Sequence, residues 1–327
     1  MALGLRKSWT MKAVVGNAEV LYLALLSCAL TLLPAFVPMG GGLLTALAPF
    51  PLIVLAVKYP WRYAISLIGL EGGLLLLGGQ WQSLVFLGQC GLVGLAISGA
   101  VRRGWSISQT LVGSLVVAFS VGALLLAVSS TFGQSPTPSL MTRYFDNVVH
   151  VSQEYVRAVE QLQEGEDEQL TALVEALPQL VVAVLPALMV IGHLFANLFN
   201  YILVRRYCQR SQPPLTFDPD DLTCWRASDY LVWVFLASGA ALLVPIDLVS
   251  TIGLNVLLVT LAIYLLQGLA IVLFWGRRLP LPLGVQCLMI AMVFLIAGPL
   301  CVIVCTAAGL FDLWVDFRRQ RHHPLLP

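Results

Sequence analysis

The chain has 327 residues, of which 59% are hydrophobic and 11% charged, and its formal net charge is +1. A soluble domain carries about a quarter charged residues, and its core has no room for so much apolar surface, so a soluble globular protein is excluded. A mean hydropathy of +0.88 indicates an integral membrane protein embedded in the lipid bilayer. No run of Lys and Arg is dense enough for a nucleic-acid interface.

Apolar runs long enough to cross a bilayer, about 20 residues each, recur along the chain. Residues 1–132 contain five such runs, which we predict to be an N-terminal group of five transmembrane helices. Glycines in the third to fifth runs predict close helix packing. The first run is longer than the apolar core of a signal peptide, so we expect it to be retained. The runs are Val14 to Val37, Leu43 to Val57, Tyr63 to Leu77, Leu84 to Val101 and Ile107 to Phe132.

A polar and mostly acidic segment, residues 133–176, follows the fifth run. Between Met141 and Leu162 its apolar residues recur at helical spacing, which predicts an amphipathic helix before the sixth span. The helix lacks the basic face of a membrane-binding helix. We therefore favour a helix that caps the bundle over one that lies on the outer membrane surface. A second short helix, from Leu170 to Leu177, is predicted to lead into the sixth span.

Residues 177–327 are predicted to form a C-terminal group of transmembrane helices. The last apolar run is too long for one helix and barely long enough for two. Gly298-Pro299 interrupts this run and predicts a tight hairpin or a broken helix. Whether residues 281–317 cross once or twice is left open, so the total is about nine or ten spans. The runs are Leu177 to Val204, Leu231 to Val249, Leu254 to Trp275 and Leu281 to Phe317.

Lys and Arg are distributed unequally between the loops. Basic residues precede the first span and follow the second, fourth, sixth and eighth, whereas the loops Pro38 to Gly42 and Gly78 to Gln82 contain none. Cytoplasmic loops are the ones enriched in Lys and Arg. The pattern therefore predicts a cytoplasmic N-terminus and places the acidic segment on the opposite, non-cytoplasmic side.

Ionisable side chains inside a span are costly and are candidate functional residues. Glu71 stands in the middle of the third span, among glycines. It either binds a cation, a proton or a basic group of a substrate, or it makes a structural hydrogen bond to a neighbouring helix. Glu19 lies about one turn inside the first span. We expect it to reach Lys12 or a loop arginine at the cytoplasmic interface.

Amide side chains mark two further spans. His193, Asn197 and Asn200 fall at positions i, i+4 and i+7 of the sixth span, so they share one helix face. They either line a cavity or bond helices together. Asn255 and Gln267 lie on the eighth span. They either extend the same polar seam or make interhelical hydrogen bonds.

The final helix carries Asp312 and Asp316, followed by Arg318 and Arg319, which predicts a local ion-pair network in preference to a cation site. No metal site or cofactor is predicted. The seven cysteines form no CxxC pair, and His193 has no second ligand at helical spacing. The motifs of P-loop nucleotidases, zinc proteases and serine hydrolases are absent. We therefore expect that the chain is not an enzyme.

Four stretches carry a resemblance to a known family: Asn197 to Tyr201, Trp225-Arg226, Gly253 to Ala270 and Gly309 to Arg318. They resemble the YybS-like family of uncharacterised polytopic bacterial membrane proteins, and the acidic segment before the sixth span matches that family's layout. The resemblance implies a protein of the bacterial inner (cytoplasmic) membrane. It also implies a distant similarity to the S components of energy-coupling-factor transporters, which are compact helical bundles with an outward-opening pocket for a small molecule. It supplies no catalytic residues.

Taken with the resemblance, the sequence predicts a transporter-like membrane protein that binds a small molecule, energised by a separate protein chain. The sequence does not identify that ligand. The alternative is a membrane scaffold or assembly factor that contacts other membrane proteins through the segment 133–176 and the loop from Gln209 to Asp229. The residues predicted to bind the substrate are Glu71, His193, Asn197, Asn200, Asn255 and Gln267.

Overall fold

The structure is a computed structural model of the chain, and it describes residues 17–32, 46–77, 81–132, 168–210, 222–278, 280 and 283–318. Of these residues, 88% are helical and none lies in a strand, which confirms the all-α class. The amphipathic helix predicted between Met141 and Leu162 lies outside the described residues. The helices are α1 (Asn17–Leu32), α2 (Pro49–Lys58), α3 (Trp61–Leu77), α4 (Trp81–Arg102), α5 (Ile107–Phe132), α6 (Glu168–Arg210), α7 (Leu231–Ala241), α8 (Asp247–Gly276) and α9 (Leu283–Val315), with a 3₁₀ turn at Leu222–Cys224.

Four segments in the described part of the chain are helical, long and apolar enough to cross a membrane. Shorter apolar helices, of 10 to 17 residues, occur in α1, α2, α4 and α7. A membrane protein with several apolar helices is therefore supported, while the total of nine or ten spans stays a prediction. The four long segments are Ile107–Leu124, Leu180–Arg210, Asp247–Gly276 and Leu295–Val315.

The chain divides into two compact units. The first contains residues Met1–Leu125 and Ala196–Asp218, and the second contains Leu126–Phe195 and Pro219–Pro327. Helix α6 therefore contributes its C-terminal part to the first unit and its N-terminal part to the second. The three segments predicted from the sequence stay a prediction.

In the first unit, α2 lies among α1, α3 and α4. Every residue from Pro51 to Val57 is buried, so this helix faces protein on all sides. It begins at Pro49, because a proline at the first helical position has no N–H to leave unpaired. Glycines of α4 permit close packing against α2 and α3. A Cβ at Gly94 would lie 3.1 Å from Leu52 Cδ2, and one at Gly91 would lie 3.1 Å from Ile68 Cδ1.

In the second unit, α8 and α9 pack with their backbones in contact. A Cβ added at Gly268 would overlap the carbonyl oxygen of Cys305, and one at Gly309 would overlap that of Tyr264. Only glycine permits this approach, which brings many backbone atoms into van der Waals contact. The contact fixes α9 against α8 over its C-terminal half.

Two predicted boundaries were wrong. The apolar run from Leu231 to Val249 is not one span, because α7 ends at Ala241 and α8 begins at Asp247. Pro245 lies in the turn between them and cannot donate the bond that would continue a helix. The short helix predicted before the sixth span is not separate either, since α6 is one helix of 43 residues beginning at Glu168.

The predicted break in the last apolar run is confirmed. Gly298 has a non-helical backbone (φ 17°, ψ −99°) and is followed by Pro299. The chain bends so sharply there that Cys301 Sγ lies 3.7 Å from the carbonyl oxygen of Val293. Residues eight apart in a straight helix are separated by about 12 Å.

Candidate functional site

Glu71 occupies a core position of α3. The buried residues of this helix, Ala64, Leu67, Glu71 and Leu75, follow helical spacing and form one stripe. Three of them are apolar, and the fourth places a carboxylate on the face that packs against protein. Glu71 is only 2% exposed, so its side chain lies in the interior of the first unit.

The partners of this carboxylate are neutral. The hydroxyl of Ser27 and the thiol of Cys28, both on α1, donate hydrogen bonds to it. Cys90 on α4 lies within electrostatic range. Glu71 Oε1 has no hydrogen-bond partner in the part of the chain that the structure describes. None of the ion pairs among the described residues includes Glu71.

Asn197 and Asn200 on α6 also point into the first unit, and both are buried. Asn197 donates to Ser114 Oγ on α5 at 2.9 Å. Asn200 donates to the carbonyl oxygens of Ala46, at 2.6 Å, and Ala196, at 2.7 Å. Both residues therefore bond helices or their connections together, although Asn200 Oδ1 keeps no partner among the described residues.

A second cluster closes one end of the first unit. Glu19 accepts hydrogen bonds from the phenols of Tyr59, at 2.5 Å, and Tyr207, at 2.9 Å. It also forms an ion pair with Lys58, and Arg102 donates to the carbonyl oxygen of Tyr59. Burial and then the Glu19 carboxylate raise the pKa of Tyr59, so this phenol keeps its proton and donates. The expected partner of Glu19, Lys12, lies outside the described residues.

Glu71 and the two asparagines each lie two to three turns along their own helices from residues at this end of the first unit. Glu71 is ten residues beyond Trp61, the start of α3, which is about 15 Å along the helix. Asn200 and Asn197 are seven and ten residues before Tyr207, about 10 and 15 Å. Ser27 is eight residues, or about 12 Å, beyond Glu19. We refer to the buried residues Ser27, Glu71, Asn197 and Asn200 as the polar layer of the first unit.

Asn255 performs a structural role in the second unit. Its Oδ1 accepts from the N–H of Ala187 at 2.8 Å, and its Nδ2 donates to the carbonyl oxygen of Ala183 at 2.8 Å. In a regular helix these two backbone groups bond each other. Pro186 interrupts the ladder at this place in α6, and the Asn255 amide inserts beside it.

Gln267 belongs to a buried network at the end of α9. Its Nε2 donates to Asp312 Oδ2 at 3.0 Å, and its Oε1 accepts from the N–H of Ala227 at 3.1 Å. Asp312 forms an ion pair with Arg318 at 2.6 Å, and both side chains are 1% exposed. Asp312 Oδ1 also accepts from the N–H of Phe317 at 3.0 Å.

The same network ties the loop after the 3₁₀ turn to α9. Arg318 donates to the carbonyl oxygens of Thr223, at 2.9 Å, and Trp225, at 2.8 Å. Asp316 has a positive φ of 46°, a backbone conformation that aspartate tolerates better than most residues, and it turns the chain back toward Asp312. The predicted ion pair between Asp312 and the following arginines is confirmed, whereas its link to Gln267 was not predicted.

His193 is half-buried and lies in the part of α6 that belongs to the second unit. Its Nδ1 lies 2.9 Å from the carbonyl oxygen of Met189, one turn earlier in α6. The predicted stripe therefore contains three residues that make separate contacts. Among the described residues, no three His, Cys, Asp or Glu side chains are arranged to hold a metal ion.

Comparison with known proteins identifies a family and no individual relative. Residues 25–313 match the family described as Predicted membrane protein (DUF2232). No curated protein and no solved structure matches the chain. The match covers most of the chain and confirms the resemblance to an uncharacterised membrane-protein family. The chain therefore belongs to this family of predicted membrane proteins.

Proposed function

We propose that the protein is a transporter-like membrane protein that binds a small molecule inside its first unit, with Glu71 facing the ligand. One observation carries the proposal: Glu71 is a buried carboxylate with neutral partners, and its Oε1 has no hydrogen-bond partner among the described residues. A polar group buried without a partner costs free energy, and a charge costs more. The sequence predicts that the helix of Glu71 is a span, and an ionisable group inside a span is a functional candidate by default.

The structure supports a binding site with fewer residues than the six predicted from the sequence. Asn255 and Gln267 have both side-chain ends bonded to protein groups of the second unit. Asn197 is bonded to Ser114. Of the six predicted site residues, Glu71 and Asn200 are the two that combine near-complete burial with an oxygen that has no partner among the described residues. We therefore propose the polar layer of the first unit as the binding site.

The proposed setting is the bacterial inner membrane, with the N-terminus in the cytoplasm. The distribution of Lys and Arg along the sequence supports this orientation. So does the cluster around Glu19, because Lys58, Tyr59 and Arg102 come from chain positions that the alternating layout assigns to one side. A separate energising chain remains part of the proposal, since this chain has no nucleotide-binding motif.

The proposed role is binding and not catalysis. Among the described residues, Asn197 and Asn200 bond helices or their connections together, and the groups beside Glu71 are a hydroxyl and two thiols. The scaffold alternative depends mainly on residues 133–176, most of which lie outside the described residues, and stays a prediction.

Ligand-dependent thermal stability of the purified full chain tests the proposal. The panel contains vitamins, amino acids, polyamines and inorganic salts, and the variants are Glu71→Gln and Asp247→Asn. A ligand at one hundred times its Kd stabilises the folded state by about 2.7 kcal/mol. We expect at least one compound to raise the Tm of the wild type and of Asp247→Asn, with the shift reduced or lost in Glu71→Gln.

Asp247 is the matched control because it is an exposed carboxylate at the start of α8, in the second unit. Its neutralisation removes one charge without touching the polar layer. The proposal is wrong if no compound stabilises the wild type, or if Glu71→Gln responds to the stabilising compound as strongly as the wild type does.

A further inference from the structure

We infer that Glu71 is an exchange site at which a proton and a small cation compete for the carboxylate. The inference rests on the proposed function and narrows the ligand to one that carries positive charge. That charge comes from an alkali-metal ion or from a small ammonium compound. Both interact with a carboxylate through the same attraction of a cation to oxygen.

Among the described residues, the groups around Glu71 supply hydrogen bonds but no positive charge. On α1 they are the hydroxyl of Ser27 and the thiol of Cys28, and on α4 the nearby titratable group is Cys90. Helix α2 has no ionisable side chain from Pro49 to Val57. Lys58, at the end of α2, forms its ion pair with Glu19.

An ionised carboxylate in this position has no counter-ion in the described part of the chain. Transfer of an ion from water to an apolar interior costs on the order of several kcal/mol, even after the protein has relaxed around the charge. A bound proton removes that charge, and a bound cation neutralises it. Two states therefore satisfy Glu71, one with a proton and one with a cation.

The exchange between these states is balanced in atoms and charge. The O–H bond of the carboxylic acid breaks, the proton leaves for water, and the cation takes its place beside the carboxylate. No electrons are transferred. Because the two ions compete, the apparent affinity for the cation falls about tenfold for each unit by which the pH drops within the range where Glu71 is protonated.

A second unbonded oxygen favours a cation over a neutral or anionic ligand. Asn200, also in the first unit, has an Oδ1 with no partner among the described residues. Carboxylate and amide oxygens are ligands of hard cations and acceptors for ammonium groups. Both unbonded atoms of the polar layer therefore accept positive charge or hydrogen bonds.

Proton release from the purified full chain tests the inference. Sodium chloride, potassium chloride or methylammonium chloride is added to protein in weakly buffered detergent solution containing a pH indicator. N-methylglucamine chloride, whose cation is bulky, controls for ionic strength. We expect up to about one proton per chain to be released by at least one small cation. The response to sodium or potassium against methylammonium distinguishes the two sources of charge.

The variants decide whether Glu71 is the source of the proton. Glu71→Gln has the shape of the protonated side chain and should fold, but it should release no proton. Asp247→Asn should release as much as the wild type. Absence of release from the wild type with all three small cations overturns the inference, and so does undiminished release from Glu71→Gln.

The inference and the proposed function fail in different experiments. Suppose that a neutral or anionic compound stabilises the wild type but not Glu71→Gln, and that no salt releases a proton. The proposed binding site is then supported, and the inference that its ligand is a cation is overturned. If a salt releases a proton only when Glu71 is present, the inference is supported, and that cation is itself the first ligand of the site.

Discussion

Each of the two units buries a carboxylate inside apolar helices, but the two carboxylates differ in their hydrogen-bond partners. In the second unit, both oxygens of Asp312 are bonded, to Arg318, Gln267 and the N–H of Phe317. In the first unit, Glu71 has neutral donors, and one of its oxygens has no partner in the described part of the chain. Whether a carboxylate in an apolar run is structural or functional therefore depends on its partners, and the sequence of the run does not show which partners it has.

The largest expected effect on stability comes from removing Asp312, the carboxylate whose oxygens are both bonded. Asp312→Ala leaves the buried guanidinium of Arg318 without its counter-ion, and removal of one partner of a buried pair costs about 3–5 kcal/mol. We expect a loss of unfolding free energy of that size in denaturant titrations of the protein in detergent micelles.

A double variant sharpens this prediction. Asp312→Leu, Arg318→Met and the combination of the two form a double-mutant cycle. Arg318→Met also removes the hydrogen bonds to Thr223 and Trp225, so the loss in the combined variant should be smaller than the sum of the two single losses. Additive losses would show that Asp312 and Arg318 are not coupled.

The next effect concerns the close approach of α8 and α9 that holds this network in place. Gly309→Ala adds a methyl group that overlaps the carbonyl oxygen of Tyr264, so the helices must move apart. Overpacking of this kind costs about 1–3 kcal/mol. Gly284→Ala on the same helix is the control, because nothing lies within 4 Å of its added Cβ. Melting temperatures should fall for the first and hold or rise for the second.

A smaller effect is expected at Asn255, whose amide bonds Ala183 and Ala187. Asn255→Ala removes both hydrogen bonds, and interhelical hydrogen bonds in membrane proteins contribute about 0.6 kcal/mol on average. We expect a loss of about 1 kcal/mol in the same denaturant titrations. Ligand responses that depend on Glu71 should be unchanged, and their loss would contradict the purely structural role of Asn255.

The smallest effect on stability is expected at Glu71 itself. Glu71→Gln replaces a protonated carboxylic acid with a neutral amide of similar shape, so the unfolding free energy at neutral pH should change by less than about 1 kcal/mol. A loss as large as that of Asp312→Ala would make Glu71 a structural residue, and the difference between the two units would disappear.

The all-α class and the special position of Glu71 follow from the sequence, because hydropathy and a charge inside an apolar run are local properties. The partners are not local. Glu19 pairs with Lys58, 39 residues away, and Gln267 meets Asp312, 45 residues away, through packing that no periodicity encodes. The run from Leu231 to Val249 was predicted as one span because hydropathy does not distinguish an apolar turn, here around Pro245, from a helix.

The infrared difference spectrum of the purified protein tests the central claim most directly. A protonated carboxylic acid has a C=O stretching band that a carboxylate lacks. We predict such a band from Glu71 in the wild type at neutral pH without added small cations, its loss when the binding cation is added, and its absence from Glu71→Gln. A wild-type spectrum that matches Glu71→Gln before and after the addition would show that Glu71 is already ionised and paired, and would contradict the account.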